Sequence, residues 1–175
     1  TDTPLNRETV GQSVYLNMIS KARKYIYITT PYLVIDVATN TALCNAAKSG
    51  VDVRIITPHI PDKALVFELT RSHYESLLEA GVQIFEYTPG FVHAKMYVSD
   101  DTVAIVGTAN MDYRSFYLHF ECGVSFYQST MAAKVRDDIL RTLKVCQPVE
   151  LDELNRAPLY HRAFTKLLRL MAPLM

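Results

Sequence analysis

The chain has 175 residues, 49% hydrophobic and 21% charged, with 8 prolines and 6 glycines, a balance that suits one globular domain and excludes a disordered or fibrous chain. Its 18 Lys and Arg against 18 Asp and Glu cancel to a net charge of zero, so no bulk field draws in DNA or RNA, and nucleic acid is not an expected partner. The 3 cysteines, Cys44, Cys122 and Cys146, are widely spaced, which excludes a disulfide framework and CxxC metal spacing and fits a reducing compartment. No apolar run reaches the length of a bilayer span and the N-terminus lacks a signal-type apolar stretch, so the chain reads as soluble or membrane-peripheral.

Thr1 to Glu8 read as a tail. From Val10 the pattern is helical: Val10, Val14, Met18 and Ala22 recur every four residues, with Leu16 and Ile19 widening the stripe. Lys24 to Thr29 is β-branched and aromatic and predicts a strand, ended by Pro31. A helix over Val37 to Lys48 stops at Gly50, and Val51 to Ile56 is the next strand, closed by Thr57-Pro58. A third helix is expected from about Lys63 to Ala80, stopped by Gly81 before the strand Val82 to Tyr87. Two successive units thus share one layout of helix, Gly-Val, strand and Thr-Pro, the signature of an α/β sheet with crossover helices on its faces.

The pattern changes after Gly90. His93 to Val98 and Thr102 to Val106 predict strands joined through Ser99-Asp100-Asp101, a hairpin. Glu121 to Gln128 is a further strand. Thr130 to Val145 is a helix with Ala133, Val135, Ile139, Leu140 and Leu143 as its apolar positions, and Pro148 then breaks the chain. The expected domain runs over residues 9–147, with residues 148–175 as a C-terminal amphipathic segment. There Arg162, Lys166 and Arg169 share one helical stripe and Ala163, Leu167, Leu170 and Met171 another. Such a helix either rests on an anionic membrane surface or docks on the domain.

On a strand, His93 and Lys95 point the same way while Ala94 and Met96 point to the opposite side. A paired imidazole and ammonium are wasteful in a core but useful facing an anion. Lys95 supplies charge to a phosphate oxygen, and His93 is a nucleophile or proton carrier near neutral pH. The hairpin brings Gly107-Thr108-Ala109-Asn110 back beside them, where Gly107 allows close backbone approach, Thr108 offers a hydroxyl and Asn110 an amide donor. Each residue has a plain reading: a satisfied histidine, a solvated lysine, a turn asparagine. Asp100 suits backbone hydrogen bonding in the hairpin link. A metal site is disfavoured, because Lys95 would repel a cation and no HxH or HExxH occurs.

As a set, His-x-Lys, four residues, Asp, six residues, Gly-Thr-x-Asn resembles the HKD motif of the phospholipase D superfamily at every position, with Thr108 where serine is commoner. The stretches Tyr87 to Lys95, Gly107 to Phe116, His119 to Cys122, Thr29 to Tyr32, Ile56 to Asp62 and Arg169 to Met175 resemble the C-terminal half of bacterial cardiolipin synthases. The resemblance implies an α/β phospholipase-D-like domain, a mixed β-sheet flanked by helices on both faces. It implies catalytic residues His93, Lys95 and Asp100, phosphate binding by His93, Lys95, Thr108 and Asn110, and no cofactor or metal.

In that family two motifs face each other. One histidine forms a phosphohistidine and the other protonates the leaving alkoxide, then activates the incoming alcohol. The implied reaction is phosphatidyl transfer that forms cardiolipin from phosphatidylglycerol, by a protein at the bacterial cytoplasmic membrane. With one motif, this chain resembles the second half of such an enzyme. By analogy His93 is the general acid/base, its partners being the lipid and the missing N-terminal half, or a second copy of an isolated fragment. Glu121 matches a family acid that orients a histidine, with an edge-strand carboxylate as the other reading. Alternative functions are a homodimeric HKD phosphodiesterase or nuclease, and a non-catalytic partner-binding half. Tyr32 follows a strand end, where α/β sheets place ligands, or serves packing. His59 and His73 read as loop and helix-surface residues, and Arg114 as a phosphate contact or a partner of Asp112.

Overall fold

The computed structural model describes residues 1–156, 158, 164–165 and 167–170. The first half of the chain holds α1 (Val10–Lys21), β1 (Tyr25–Thr29), β2 (Leu33–Val34), α2 (Val37–Lys48), β3 (Asp52–Pro58), α3 (Ala64–Ser72), α4 (Tyr74–Glu79) and β4 (Gln83–Tyr87). The second holds β5 (Met96–Ser99), β6 (Val103–Gly107), β7 (Met111–Asp112), α5 (Tyr113–Tyr117), β8 (Gly123–Tyr127), α6 (Thr130–Leu143), β9 (Cys146–Pro148) and α7 (Leu151–Asn155).

Seven strands form one mixed sheet in the order β8-β6-β5-β1-β3-β4-β9, while β2 and β7 pair separately. The central β1, β3 and β4 are parallel, as the repeated helix-Gly-Val-strand units require, and the hairpin β5-β6 adds antiparallel to β1. Gly50 and Gly81 end α2 and α4 at φ 88° and 94°, a left-handed turn that releases each following strand.

Side-chain alternation divides the core. Ile26, Ile28, Val53, Ile55 and Ile84 face α1, α2 and α4 on one side. Tyr27, Ile56, Val98 and Ala104 meet Ala132, Val135 and Ile139 of α6 on the other. Helices therefore cover both faces, the architecture expected from the alternation of helix and strand along the chain.

Several expectations change in detail. In α1 the buried positions are Gln12, Tyr15, Met18 and Ile19, while Val10 and Val14 are exposed. Tyr15 is drawn inward by aromatic contacts with Tyr97 and Phe116, and Gln12 by Asp36 and Tyr117. The expected Lys63 to Ala80 helix is two helices, interrupted at His73. At the turn His73 N–H donates to the Thr70 carbonyl at 3.1 Å, three residues back, and the Ser72 hydroxyl competes for the Leu69 carbonyl at 2.6 Å.

Pro148 does not break the chain. It lies in β9 opposite Phe85, on the sheet edge, where a missing N–H costs no ladder bond. The sheet thus continues past residue 147, and Val149 is buried in the core. Thr1 to Glu8 is not a free tail at Asp2, which bridges to Glu121 and accepts from Gly11 N–H at 2.6 Å. Of the C-terminal stripes, Arg162, Ala163, Lys166 and Met171 lie outside the described residues. Leu168 packs against Val34 and Leu69, and Arg169 donates to the Ser72 carbonyl at 3.4 Å.

Candidate active site

The site is built on the open end of the β5-β6 hairpin. The ladder between β1 and β5 stops at Thr29 and Met96, because the chain turns away at Thr30-Pro31. His93, Ala94 and Lys95 therefore lie just before the strand rather than within it, as had been expected. Their side chains still converge. Lys95 Nζ donates to the His93 carbonyl at 2.9 Å and lies 3.0 and 3.1 Å from the two ring nitrogens.

His93 is exposed, whereas Lys95 is buried to 8% exposure. Burial lowers the Lys95 pKa, and the negative charges of Glu121 and Asp112 oppose that shift. Among the described residues no carboxylate lies within ion-pair distance of Lys95. A buried ammonium with no direct counter-ion among the described residues, beside an accessible imidazole, is an arrangement that suits an anion.

Opposite stands the link from β6 to β7. Gly107 N–H donates to the Lys95 carbonyl at 3.2 Å, which aligns the two strand ends. Asn110 is held from three directions. Its backbone N–H donates to Ser115 Oγ at 3.0 Å, and its side-chain amide donates to Asp112 Oδ2 at 3.0 Å. The next residue, Met111, donates its N–H to Thr30 Oγ1 at 3.1 Å. Asp112 in turn caps α5 by accepting from Ser115 N–H at 2.7 Å. One Asn110 amide hydrogen remains for a ligand. Asp112, Ser115 and Thr30 were not foreseen as positioning residues, although Asp-x-x-Ser at 112–115 is a helix-cap signal.

Gly107 has a steric reason to be glycine. A Cβ there would sit 2.6 Å from the Cys122 carbonyl oxygen and 2.7 Å from Gly123 Cα, both backbone atoms. Gly107→Ala is expected to force β6 and β8 apart and destabilise by about 1–3 kcal/mol. Because Asn110 lies three residues further on, activity should fall even at temperatures where the variant remains folded. A urea melt and an activity assay check both parts.

The family model described as "Cardiolipin synthase, PLD-like domain" matches residues 15–143. A cardiolipin synthase of Geobacillus is 42% identical over 98% of this chain, which covers 34% of that relative. The chain belongs to the phospholipase-D-like domain family of cardiolipin synthases. It spans about a third of the length of the curated relatives it matches. The fold is shared at 16% identity with two solved structures. Phosphatidylserine synthase of Haemophilus influenzae has TM-score 0.75, with 94% of this chain and 44% of that chain covered. Nuc of Salmonella typhimurium, a phospholipase D family member, has TM-score 0.73, with 83% and 94% covered.

Within this phospholipase-D-like domain the other candidates divide. Asp100 is remote from His93, at the closed end of the hairpin. Its carboxylate accepts from the N–H groups of Arg23, Lys24 and Tyr25 at 2.7, 2.9 and 2.9 Å. That geometry makes it a scaffold residue and corrects its grouping with the catalytic residues. Thr108 is also engaged: its hydroxyl donates to Glu121 and accepts from Cys122 N–H at 2.9 Å. It braces the end of β6 against the start of β8, so direct phosphate binding by this hydroxyl is not what the geometry provides. Glu121 contacts Thr108, and the histidine near its carboxylate is His119 at 3.7 Å, not His93.

His59 pairs with the buried Glu86 at 2.8 Å. His73 is not on a helix surface. It is 2% exposed, and burial, with a smaller contribution from Arg169, pushes its pKa down to about 3, so it is neutral. Tyr32 donates to Asp62 at 2.5 Å and its ring neighbours Phe91, which in turn neighbours His93. Arg114 does not pair with Asp112; its Nε donates to His119 Nε2 at 3.2 Å.

Proposed function

We propose that this domain supplies one of the two motifs of a metal-independent phosphatidyltransferase that forms cardiolipin from phosphatidylglycerol. The observation that carries the reading is Lys95, a buried cation whose ammonium, among the described residues, bonds to His93 and has no carboxylate partner. Such a charge is balanced when a phosphodiester enters. The 42% identity to a cardiolipin synthase over nearly the whole chain favours lipid transfer over the nuclease reading, since the likeness to Nuc at 16% identity is one of fold.

The reaction proceeds in two displacements. A histidine of the second motif, in the remainder of the protein, attacks phosphorus of one phosphatidylglycerol. The bond to the terminal glycerol oxygen breaks, and His93 gives that oxygen its proton. His93 then takes the proton from a hydroxyl of a second phosphatidylglycerol. Its oxygen bonds to phosphorus as the phosphorus–nitrogen bond breaks. Two phosphatidylglycerols thus give cardiolipin and free glycerol, with His93 protonated again. Lys95 and Asn110 hold the non-bridging oxygens throughout.

The remainder of the protein covers the motif face. Leu118, Phe120 and Val124, flanking Glu121, are 54%, 74% and 55% exposed, an apolar surface suited to that contact or, in an isolated fragment, to a second copy. Among the described residues no helix is long and apolar enough to cross a membrane, so association of the whole protein with the cytoplasmic membrane rests on other segments or on lipid contact.

The test is transfer by the full-length protein in phosphatidylglycerol vesicles. Cardiolipin and glycerol should appear in equal amounts, and chelation with EDTA should leave the rate unaltered. Loss of activity on chelation with recovery on adding magnesium or zinc would overturn the metal-independent mechanism.

A further inference from the structure

Next to Asn110 the domain has a cleft of about 310 Å³ that the chemistry above does not use. One wall is apolar, with the half-buried Val66 of α3 at its surface and Val34 of β2 and Leu69 of α3, which Leu168 also covers, buried behind it. The rim carries Lys63, Arg114 and His119. Among the described residues neither Lys63 nor Arg114 has a carboxylate within ion-pair distance. Arg114 bonds His119 through Nε, which leaves the two terminal guanidinium nitrogens without an acceptor among those residues. The carboxylate in the lining, Asp112, is 7% exposed and engaged by Asn110 and Ser115. The cleft therefore joins apolar surface to two exposed cations with no ion-pair partner among the described residues. It shares Asn110 with the phosphate site, and Tyr32 links it through Phe91 to His93.

We propose that this cleft binds the second phosphodiester, the one already carried by the lipid that accepts the phosphatidyl group, with its glycerol and first acyl carbons against the apolar wall. The proposal rests on the transfer reaction above. When phosphatidylglycerol is the acceptor, only a three-carbon glycerol separates its own phosphate from the attacking oxygen. Two phosphodiesters then lie close together and repel each other at low dielectric. Lys95 is committed to the reacting one. A separate pair of cations a short distance away offsets the charge of the other, and Arg114 offers the forked geometry that suits phosphate. On this reading Arg114 and Lys63 set acceptor choice and stand apart from bond making.

The experiment offers two acceptors to one donor. Full-length protein in phosphatidylglycerol vesicles with added ethanol can form cardiolipin or phosphatidylethanol, and only the first reaction brings a second phosphate. Arg114→Ala and Lys63→Ala are expected to lower the ratio of cardiolipin to phosphatidylethanol roughly tenfold or more, the size of a lost charge-assisted contact. Arg114→Lys should recover part of the ratio and controls for folding, alongside a thermal melt.

Equal loss of both products in a normally folded variant, or an unaltered ratio, would overturn the assignment. Adding sn-glycerol 3-phosphate separates lipid from free phosphate. It should compete poorly, and suppression of cardiolipin as effective as that by a short-chain phosphatidylglycerol would show a free-phosphate site instead. A wild-type protein that forms neither product would refute the transfer reaction itself, a result distinct from any change in the product ratio.

Discussion

Replacing His93 with alanine in the full-length protein is expected to lower cardiolipin formation by about 10²–10⁴-fold, the range lost when a positioned general acid/base is removed. His93 is exposed, and the His93 backbone carbonyl to which the buried Lys95 ammonium also donates survives the substitution, so that ammonium keeps one of its acceptors. The melting temperature should therefore hold while activity disappears. Lys95→Ala is expected to cost roughly 10²–10³-fold through loss of charge at the non-bridging oxygens. Its effect on stability should be small or favourable, because a buried ammonium without a counter-ion costs free energy in the unliganded state. Activity within tenfold of wild type in His93→Ala would remove this residue from the mechanism.

The second large effect is on stability. Asp100→Ala is expected to destabilise the domain by about 2–4 kcal/mol, from two sources. Three consecutive N–H groups at the entry to β1 lose their shared acceptor. In addition, Asp100 and Asp101 adopt φ 52° and 56° in the turn closed by Thr102 N–H to the Ser99 carbonyl at 2.9 Å, and alanine is strained there. Asp100→Gly relieves the backbone part alone and Asp100→Asn keeps a single acceptor, so both should fall between alanine and wild type. Urea denaturation separates them, and an unaltered midpoint for Asp100→Ala would show that those N–H groups are satisfied by water. Once folded, the alanine variant should retain far more activity than His93→Ala, because its side chain is remote from the phosphate.

Much of this was legible along the chain because its signals are local. Gly50 and Gly81, each followed by valine, mark helix ends and strand starts. The Ser99-Asp100-Asp101 link fixes a hairpin, and the hairpin alone brings Asn110 to His93. What escaped depends on contacts across the sequence. Nothing between Lys63 and Ala80 breaks a helix by composition, yet the chain turns at His73 between α3 and α4, while Leu33 N–H, from a different element, bonds the Thr70 hydroxyl. Pro148 reads as a terminator until the sheet edge is known. His73 looks like a surface residue by spacing and is 2% exposed at the junction of α3 and α4. At the site, Asn110 was readable as a chemical group. The bonds from Ser115, Asp112 and Thr30 that aim it span intervals no periodicity encodes.

His93, Lys95 and Asn110 all hang from the open end of one hairpin whose closed end Asp100 pins to β1. The three groups therefore fall within one short stretch, residues 93–110, while the bonds that aim Asn110 come from Thr30, Asp112 and Ser115 outside it. Of the two cleft cations, Arg114 follows Asn110 by only four residues, whereas Lys63 comes from a different element well before the hairpin. On the proposed reading, a change at Lys63 is the one expected to alter which alcohol is accepted with the least disturbance of the groups around the phosphate.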